Sequence, residues 1–287
     1  MVPRRTLARA VTLSGPALFT GTDAELTIRP APANRGIAVR RAGREAPATI
    51  AHLSDHPVHP VFATLKPRCT SIDAGPNPVA TVEHALSALA GLGVTDAVLE
   101  TDAPELPILD GSALPFVEAI LAAGLTALPG PAGPYVLDRR IEIRDADAVI
   151  TAEPADAIDY AYDLDYGAGA PVPPGRARWT GDPSAYETAI APARTFSTHD
   201  EARAMQARGL FTNFTPADLL VIGPDGPIDN QYRFPDEPAR HKLLDLIGDL
   251  ALLGRPLVAK VRAHRTGHAH THALVRAIAG EEARKGL

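Results

Sequence analysis

Apolar residues along the chain follow two different rhythms. From Thr6 to Arg40, short runs such as Leu26-Thr27-Ile28 and Ile37-Ala38-Val39-Arg40 sit between Gly, Pro and Asn, which predicts strands and the start of a sheet. Residues 85–92 predict a helix headed by Thr81-Val82-Glu83-His84 and stopped at Gly91 and Gly93. A strand over residues 96–100, the run Pro107-Ile108-Leu109-Asp110-Gly111-Ser112 and a helix over 113–123 come next. The second half repeats the order: a helix over 240–253 ends at Gly254, a strand covers 257–263, Thr266-Gly267-His268 makes a turn, and a helix runs through 273–279. Two copies of helix, glycine stop, strand, turn and helix predict duplication of one α+β unit.

A chain of 287 residues exceeds one ordinary domain. The expected division is an N-terminal α+β domain over residues 1–128, a linker over 129–134, whose Pro and Gly content suits neither helix nor strand, and a C-terminal α+β domain over 135–287. Residues 167–175, similarly punctuated, read as a surface loop. After Arg194-Thr195-Phe196, the segment near 196–232 combines a helical stretch over 200–208 with an apolar run from Leu210 to Ile222. That insertion reads as core, as a partner patch or as a pocket for an acyl chain.

Formal charge is −6 with no long Lys/Arg block, so no nucleic-acid partner is expected. The single cysteine, Cys69, excludes an intramolecular disulfide framework and a cysteine-based zinc site, leaving His and carboxylate as metal ligands. The basic opening Met1-Val2-Pro3-Arg4-Arg5 leads into an apolar run broken by Arg9 and Gly15-Pro16, so a signal peptide is not expected. The apolar stretch over 243–259 is cut by Asp245, Asp249 and Arg255, short of the roughly 20 clean residues of a spanning helix. A soluble cytoplasmic protein without an integral membrane segment is therefore expected.

The chemistry concentrates on the helix over 240–253. At about 100° per residue, His241, Asp245, Gly248 and Asp249 share one side while leucines and Ile247 cover the rest. A His and two Asp on so apolar a helix need compensation, and a cation bound by the His and Asp four apart is one form of it. An ion-paired core helix and a subunit contact are the others. His84 is the candidate third ligand, and Glu83, pointing about 100° away from it, stands where a general base acting on water at that metal belongs. With His84 in one domain and His241 and Asp245 in the other, the metal would lie in the inter-domain cleft. His52, His56 and His59 lie in a stretch broken by Pro57 and Pro60 and read as exposed loop residues, and His270 and His272 read as solvent-facing.

Thr81-Val82-Glu83-His84, residues 107–113, Ala193-Arg194-Thr195-Phe196, Arg240-His241-Lys242-Leu243-Leu244-Asp245 with Gly248-Asp249, and Thr266-Gly267-His268 occur in this order behind Arg29-Pro30-Ala31-Pro32-Ala33-Asn34. Together they resemble the zinc-dependent UDP-3-O-acyl-N-acetylglucosamine deacetylases of lipid A biosynthesis over nearly the whole chain. The resemblance implies two duplicated domains, each with two helices packed on a β-sheet, and an active site between them. It implies Zn2+, or Fe2+ in its place, on His84, His241 and Asp245, with Glu83 as general base and His268 as cationic acid or oxyanion stabiliser oriented by Asp249. Thr195 would help hold the oxyanion, Lys242 would lie at the substrate pocket, Phe196 would line the sugar region, and Leu210, Phe211 and Phe214 would belong to the acyl passage. The substrate would be a UDP-acyl-amino-sugar, and a monomer is expected. Where the family carries a Gly-Gly-Ser-like run after Arg-Gly-Leu, this chain reads Phe211-Thr212-Asn213-Phe214-Thr215-Pro216, and 217–232 lacks the usual Asp/Asn pattern. An amidase for a different acylated amino sugar and a non-catalytic nucleotide-sugar or acyl binder are the alternatives.

Overall fold

Why two units form is visible in the strand order. A computed structural model describes residues 3–63, 68–75 and 77–285, so Met1 and Val2 of the basic opening lie outside the described residues. The first five-stranded sheet runs Val11–Pro16, Asp23–Pro30, Ala97–Thr101, Ile37–Arg41, Arg44–Pro47. The second runs Ile141–Asp145, Ala148–Glu153, Lys260–His264, Asp159–Leu164, Gly175–Trp179. In both, neighbours are antiparallel except at one place, where the central strand lies parallel to the strand after it in the order. In both, that central strand is the last to arrive in sequence, after a helix has crossed. Alternation supplies the inward faces: within Asp23–Pro30, Ala24, Leu26 and Ile28 are buried and the polar Glu25 and Thr27 between them are not.

The helices are α1 (Glu83–Gly91), α2 (Leu114–Ala123), α3 (Pro183–Ala189), α4 (His199–Gln206), α5 (Glu237–Leu250) and α6 (His268–Lys285). α1 and α5 each precede a central strand, and α2 and α6 each follow one, which is the expected duplicated α+β architecture. α5 crosses α1 backbone against backbone. A Cβ on Gly248 would stand 2.1 Å from the Glu83 carbonyl oxygen, so a side chain there would push the helices apart. The Ser87 hydroxyl donates to the Leu244 carbonyl at 2.8 Å and lies 2.7 Å from the Tyr186 hydroxyl, joining α1 to both α5 and α3. One apolar core runs through this crossing, with Leu86 and Leu89 of α1 and Leu243, Leu244 and Ile247 of α5 in a single cluster.

Several expectations shift. The segment expected as a linker is partly ordered: residues 125–131 form strand Leu125–Pro131, paired antiparallel with Pro3–Leu7, and the sheet edge spares its prolines the cost of a missing N–H. Only 132–134 lack regular structure between that strand and Tyr135–Val136. The strand expected over 257–263 breaks at Ala259 into Leu257–Val258, which pairs with Tyr135–Val136, and Lys260–His264. α5 starts three residues earlier than expected because Pro238 fits its first turn, where no N–H is needed. α6 begins at His268 itself. Among the described residues, no helix is long and apolar enough to cross a membrane.

Candidate active site

Thr81 turns the chain into α1. Its backbone sits in the left-handed region at φ 58°, a strained place for a β-branched residue, and its hydroxyl donates to the buried Glu105 carboxylate at 2.9 Å. That turn places Glu83 and His84 in the first helical turn, both buried. α5 contributes His241, Asp245 and Asp249 at successive four-residue steps, so the three share one side of the helix.

The histidine of one unit and the ligand pair of the other meet. His84 Nε2 lies 3.7 Å and His241 Nε2 3.3 Å from the same oxygen, Asp245 Oδ1. The two rings meet edge to face with centroids 5.1 Å apart, and one ligand atom from each of the three residues lies within 4.8 Å of the others. His241 Nδ1 is 3.1 Å from the Ala193 carbonyl, and donation there leaves Nε2 with its lone pair towards the centre. Among the described residues, His84 Nδ1 is buried without a hydrogen-bond partner. Burial first, and the neighbouring His241 next, hold the His84 pKa down at about 3, so the ring is neutral. Burial resists ionisation of Asp245, but His241 and Lys242 outweigh it and keep the carboxyl well below the usual range. Two neutral imidazoles and one carboxylate suit Zn2+ and equally the Fe2+ facial set, so these residues fit a bound divalent cation.

Around that centre stand further titratable side chains. Glu83 Oε2 accepts the Thr70 backbone N–H at 2.9 Å. Burial pushes the Glu83 pKa up to about 8 despite the opposing charge of His268, with Asp245 and Asp249 adding to the rise. At the start of α6, His268 Nδ1 is 2.7 Å from Asp249 Oδ2, and its Nε2 is 3.9 Å from Asp245 Oδ2. Burial works against the imidazolium, yet the Asp249 carboxylate, helped by Asp245 and Glu83, raises the His268 pKa to about 9. Lys242 Nζ donates to Asp245 Oδ2 at 2.6 Å.

Thr195 is brought to the same cavity by its backbone N–H, which donates to the Gly111 carbonyl at 2.6 Å. The residue before it, Arg194, is buried in an ion pair with Glu237 at 2.8 Å, which fastens the insertion to the first turn of α5. Phe196 stands with its ring 6.4 Å from that of His241 and 6.1 Å from that of Tyr166. From this polar end a cavity of about 590 Å³ leads to an apolar wall of Leu18, Phe19, Ile108, Phe211 and Phe214. Leu210 does not line it; that side chain is fully buried in the packing behind the wall. Phe211 occupies the left-handed region at φ 59°, with its ring 5.7 Å from Phe19, which packs edge-on against Phe62 at 5.0 Å.

Two corrections concern histidines near the end of the chain. His272 is buried rather than solvent-facing: its Nε2 lies 2.9 Å from Thr70 Oγ1 and 3.5 Å from Asp249 Oδ1. His270 is half-buried and accepts the Gly267 N–H at 3.2 Å. A signal for His272 existed, since it stands four residues after His268 on one helix and so shares its face. Thr70, which touches this network most widely, carried no sequence signal. His52 instead contacts the Thr49 hydroxyl through Nδ1 at 2.9 Å, and His59 accepts the Val61 N–H at 3.3 Å; neither belongs to a metal-like group among the described residues.

Comparison with known proteins agrees with this geometry. The family model described as UDP-3-O-acyl N-acetylglycosamine deacetylase matches residues 4–280. The chain is similar to UDP-3-O-acyl-N-acetylglucosamine deacetylases from Anaeromyxobacter dehalogenans (38% identity, covering 98% of this chain and 88% of the relative) and Leptospira biflexa (35%, covering 97% and 90%). A third, from Thermosynechococcus vestitus, is 36% identical over 96% of this chain and 94% of its own length. With the match running through both units and the buried centre between them, this chain belongs to the UDP-3-O-acyl N-acetylglycosamine deacetylase family.

Proposed function

We propose that this protein removes the N-acetyl group of UDP-3-O-acyl-N-acetylglucosamine, giving acetate and UDP-3-O-acyl-glucosamine, the lipid A biosynthesis step, with the residues gathered between α1, α5 and α6. The observation that carries the reading is the meeting of His84 with His241 and Asp245 across the two units.

Zn2+, or Fe2+ in its place, would be held by His84, His241 and Asp245; bound there, it would supply Lewis acidity and lower the pKa of water at its open position towards about 7. Glu83 takes the proton of the attacking water as that water adds to the acetamide carbonyl. Its placement suits it to this, because Glu83 stands next to His84 with one carboxylate oxygen held by the Thr70 N–H. The Thr195 hydroxyl and the His268 imidazolium donate to the developing oxyanion. His268, kept charged by Asp249, then gives a proton to the leaving amine as the C–N bond breaks. Lys242 and Phe196 border the sugar and nucleotide end, while Phe19, Phe211 and Phe214 face the acyl chain. Both halves of the site come from one chain, so a monomer suffices. Action in the cytoplasm belongs to the same proposal and fits a nucleotide-sugar substrate.

The test is acetate release from UDP-3-O-acyl-N-acetylglucosamine. The wild-type protein turns it over, and Glu83→Ala keeps its metal and loses turnover. An unchanged rate in Glu83→Ala refutes the base assignment.

A further inference from the structure

We propose that Thr70 is a positioning residue for this reaction, locking the Glu83 base and the Asp249–His268 pair into one frame, and that His272 fixes the direction of its hydroxyl. The proposal rests on the roles given above to Glu83 and His268.

Among the described residues, Thr70 touches both Glu83 and the Asp249–His268 pair. Its backbone N–H donates to Glu83 Oε2 at 2.9 Å, and its hydroxyl donates to Asp249 Oδ1 at 2.6 Å. The other oxygen of that carboxylate is the one that holds His268 Nδ1, at 2.7 Å. The Thr70 hydroxyl itself lies 3.4 Å from the same nitrogen. A threonine hydroxyl carries a single proton. Once that proton is given to Asp249, the oxygen acts towards His272 only as an acceptor, so the 2.9 Å contact places a proton on His272 Nε2. His272 also approaches Asp249 Oδ1 at 3.5 Å, so the carboxylate has donors on both oxygens.

Burial gives this arrangement its force. Thr70 is fully buried and Asp249 is 1% exposed, so water does not replace a donor removed from either. Fold geometry explains why one residue reaches all partners. Thr70 immediately precedes strand Ser71–Ala74 in the first unit, yet it bonds to side chains of α1, α5 and α6. His268 and His272, four apart on α6, both face Asp249. Rotation of Asp249 would move the imidazole that must donate to the oxyanion and the amine. The Thr70 hydroxyl opposes that rotation, while its N–H holds the base beside it.

The test compares Thr70→Val, which removes the hydroxyl at constant shape and keeps the N–H, with Thr70→Ser, which restores it. His272→Leu and His272→Gln do the same for the donor, the amide nitrogen of Gln reaching about as far as Nε2. Steady-state kinetics, bound-metal analysis and thermal melting are read on each full-length variant. Thr70→Val is expected to lower kcat about 10- to 100-fold with KM within about twofold of wild type and metal content unchanged, the usual scale for outer partners of a site. Thr70→Ser and His272→Gln should recover most of kcat, and His272→Leu should lose about tenfold. Unchanged kcat in Thr70→Val overturns the proposal. So does a Thr70→Ser variant as impaired as Thr70→Val, or loss of metal and fold in step with activity. Failure of these variants while Glu83→Ala is inactive removes the positioning role alone; a fully active Glu83→Ala removes the base assignment and this proposal together.

Discussion

The two units share one strand order and one helix order, but they differ in what they insert between the end strand of the sheet and the site helix. In the first unit, the described residues between 48 and 82 form short turns and the hairpin Ser71–Ala74/Asn77–Ala80, and bring Thr70 to Glu83, Asp249 and His272. In the second, residues 180–236 form α3, α4 and a small sheet of Phe196–Thr198, Leu220–Gly223 and Gly226–Pro227, and deliver Thr195, Phe196 and the Phe211 and Phe214 part of the apolar wall. The helices differ as well: α1 offers Glu83 and His84 in one turn, whereas α5 offers His241, Asp245 and Asp249 over two steps. A duplicated scaffold therefore supplies the meeting point and its titratable groups, and the unequal insertions supply what surrounds them, Thr70 from one and Thr195 and Phe196 from the other.

The largest expected effect separates the helices. Glu83→Ala should cut turnover by about 10²–10⁴-fold, the range for a positioned general base, while His241→Ala should remove metal and activity together. Kinetics paired with metal analysis of each protein checks this contrast; parallel behaviour of the two variants would erase it.

The insertions should differ next in how firmly they are tied down. Arg194 and Glu237 form a buried ion pair, so Arg194→Ala should cost about 3–5 kcal/mol in denaturant unfolding, leaving the Glu237 carboxylate with the backbone N–H groups of Arg194 and Arg233. Glu105 in the first unit is held by the Phe19 and Thr20 N–H groups and by the Thr20 and Thr81 hydroxyls. Glu105→Gln keeps some of these bonds and should cost about 1–2 kcal/mol. Equal losses would contradict the distinction. Gly248→Ala tests the crossing that both units share: its methyl meets the Glu83 carbonyl, and overpacking of this kind costs about 1–3 kcal/mol, visible as a lower unfolding midpoint.

The apolar wall, built by Phe19 of the first unit together with Phe211 and Phe214 of the second insertion, is a subtler target. Phe19→Ala enlarges the apolar end of the cavity and should shift relative kcat/KM towards longer acyl chains by about 10-fold, the scale of one or two methylenes in a pocket. An unchanged ranking across acyl lengths would take Phe19 off that wall. The smallest effect is expected at His52, His56 and His59, where alanine should leave stability within about 0.5 kcal/mol and activity unaltered.

Much of this was legible in the residues. The spacing of His241, Asp245 and Asp249 exposed the site helix because polar groups at four-residue steps on an apolar helix need a shared partner. The repeated helix, glycine stop and strand exposed the duplication. What stayed hidden came from contacts remote in sequence. Thr70 bonds across 179 residues to Asp249, and no local pattern announces such a pairing. His272 looked exposed because polar neighbours surround it in sequence, whereas its helical face turns inward. Pro129 and Pro131 read as breakers, yet a two-stranded edge accommodates both.

Metal stoichiometry of the purified wild-type protein beside His84→Ala, His241→Ala and Asp245→Ala tests the central claim most directly, because the three proposed ligands come from two units that meet only in the fold. The account predicts about one Zn2+ or Fe2+ per wild-type chain and loss of it in every variant, His84→Ala included. Full metal content in His84→Ala, or none in the active wild-type enzyme, would contradict it.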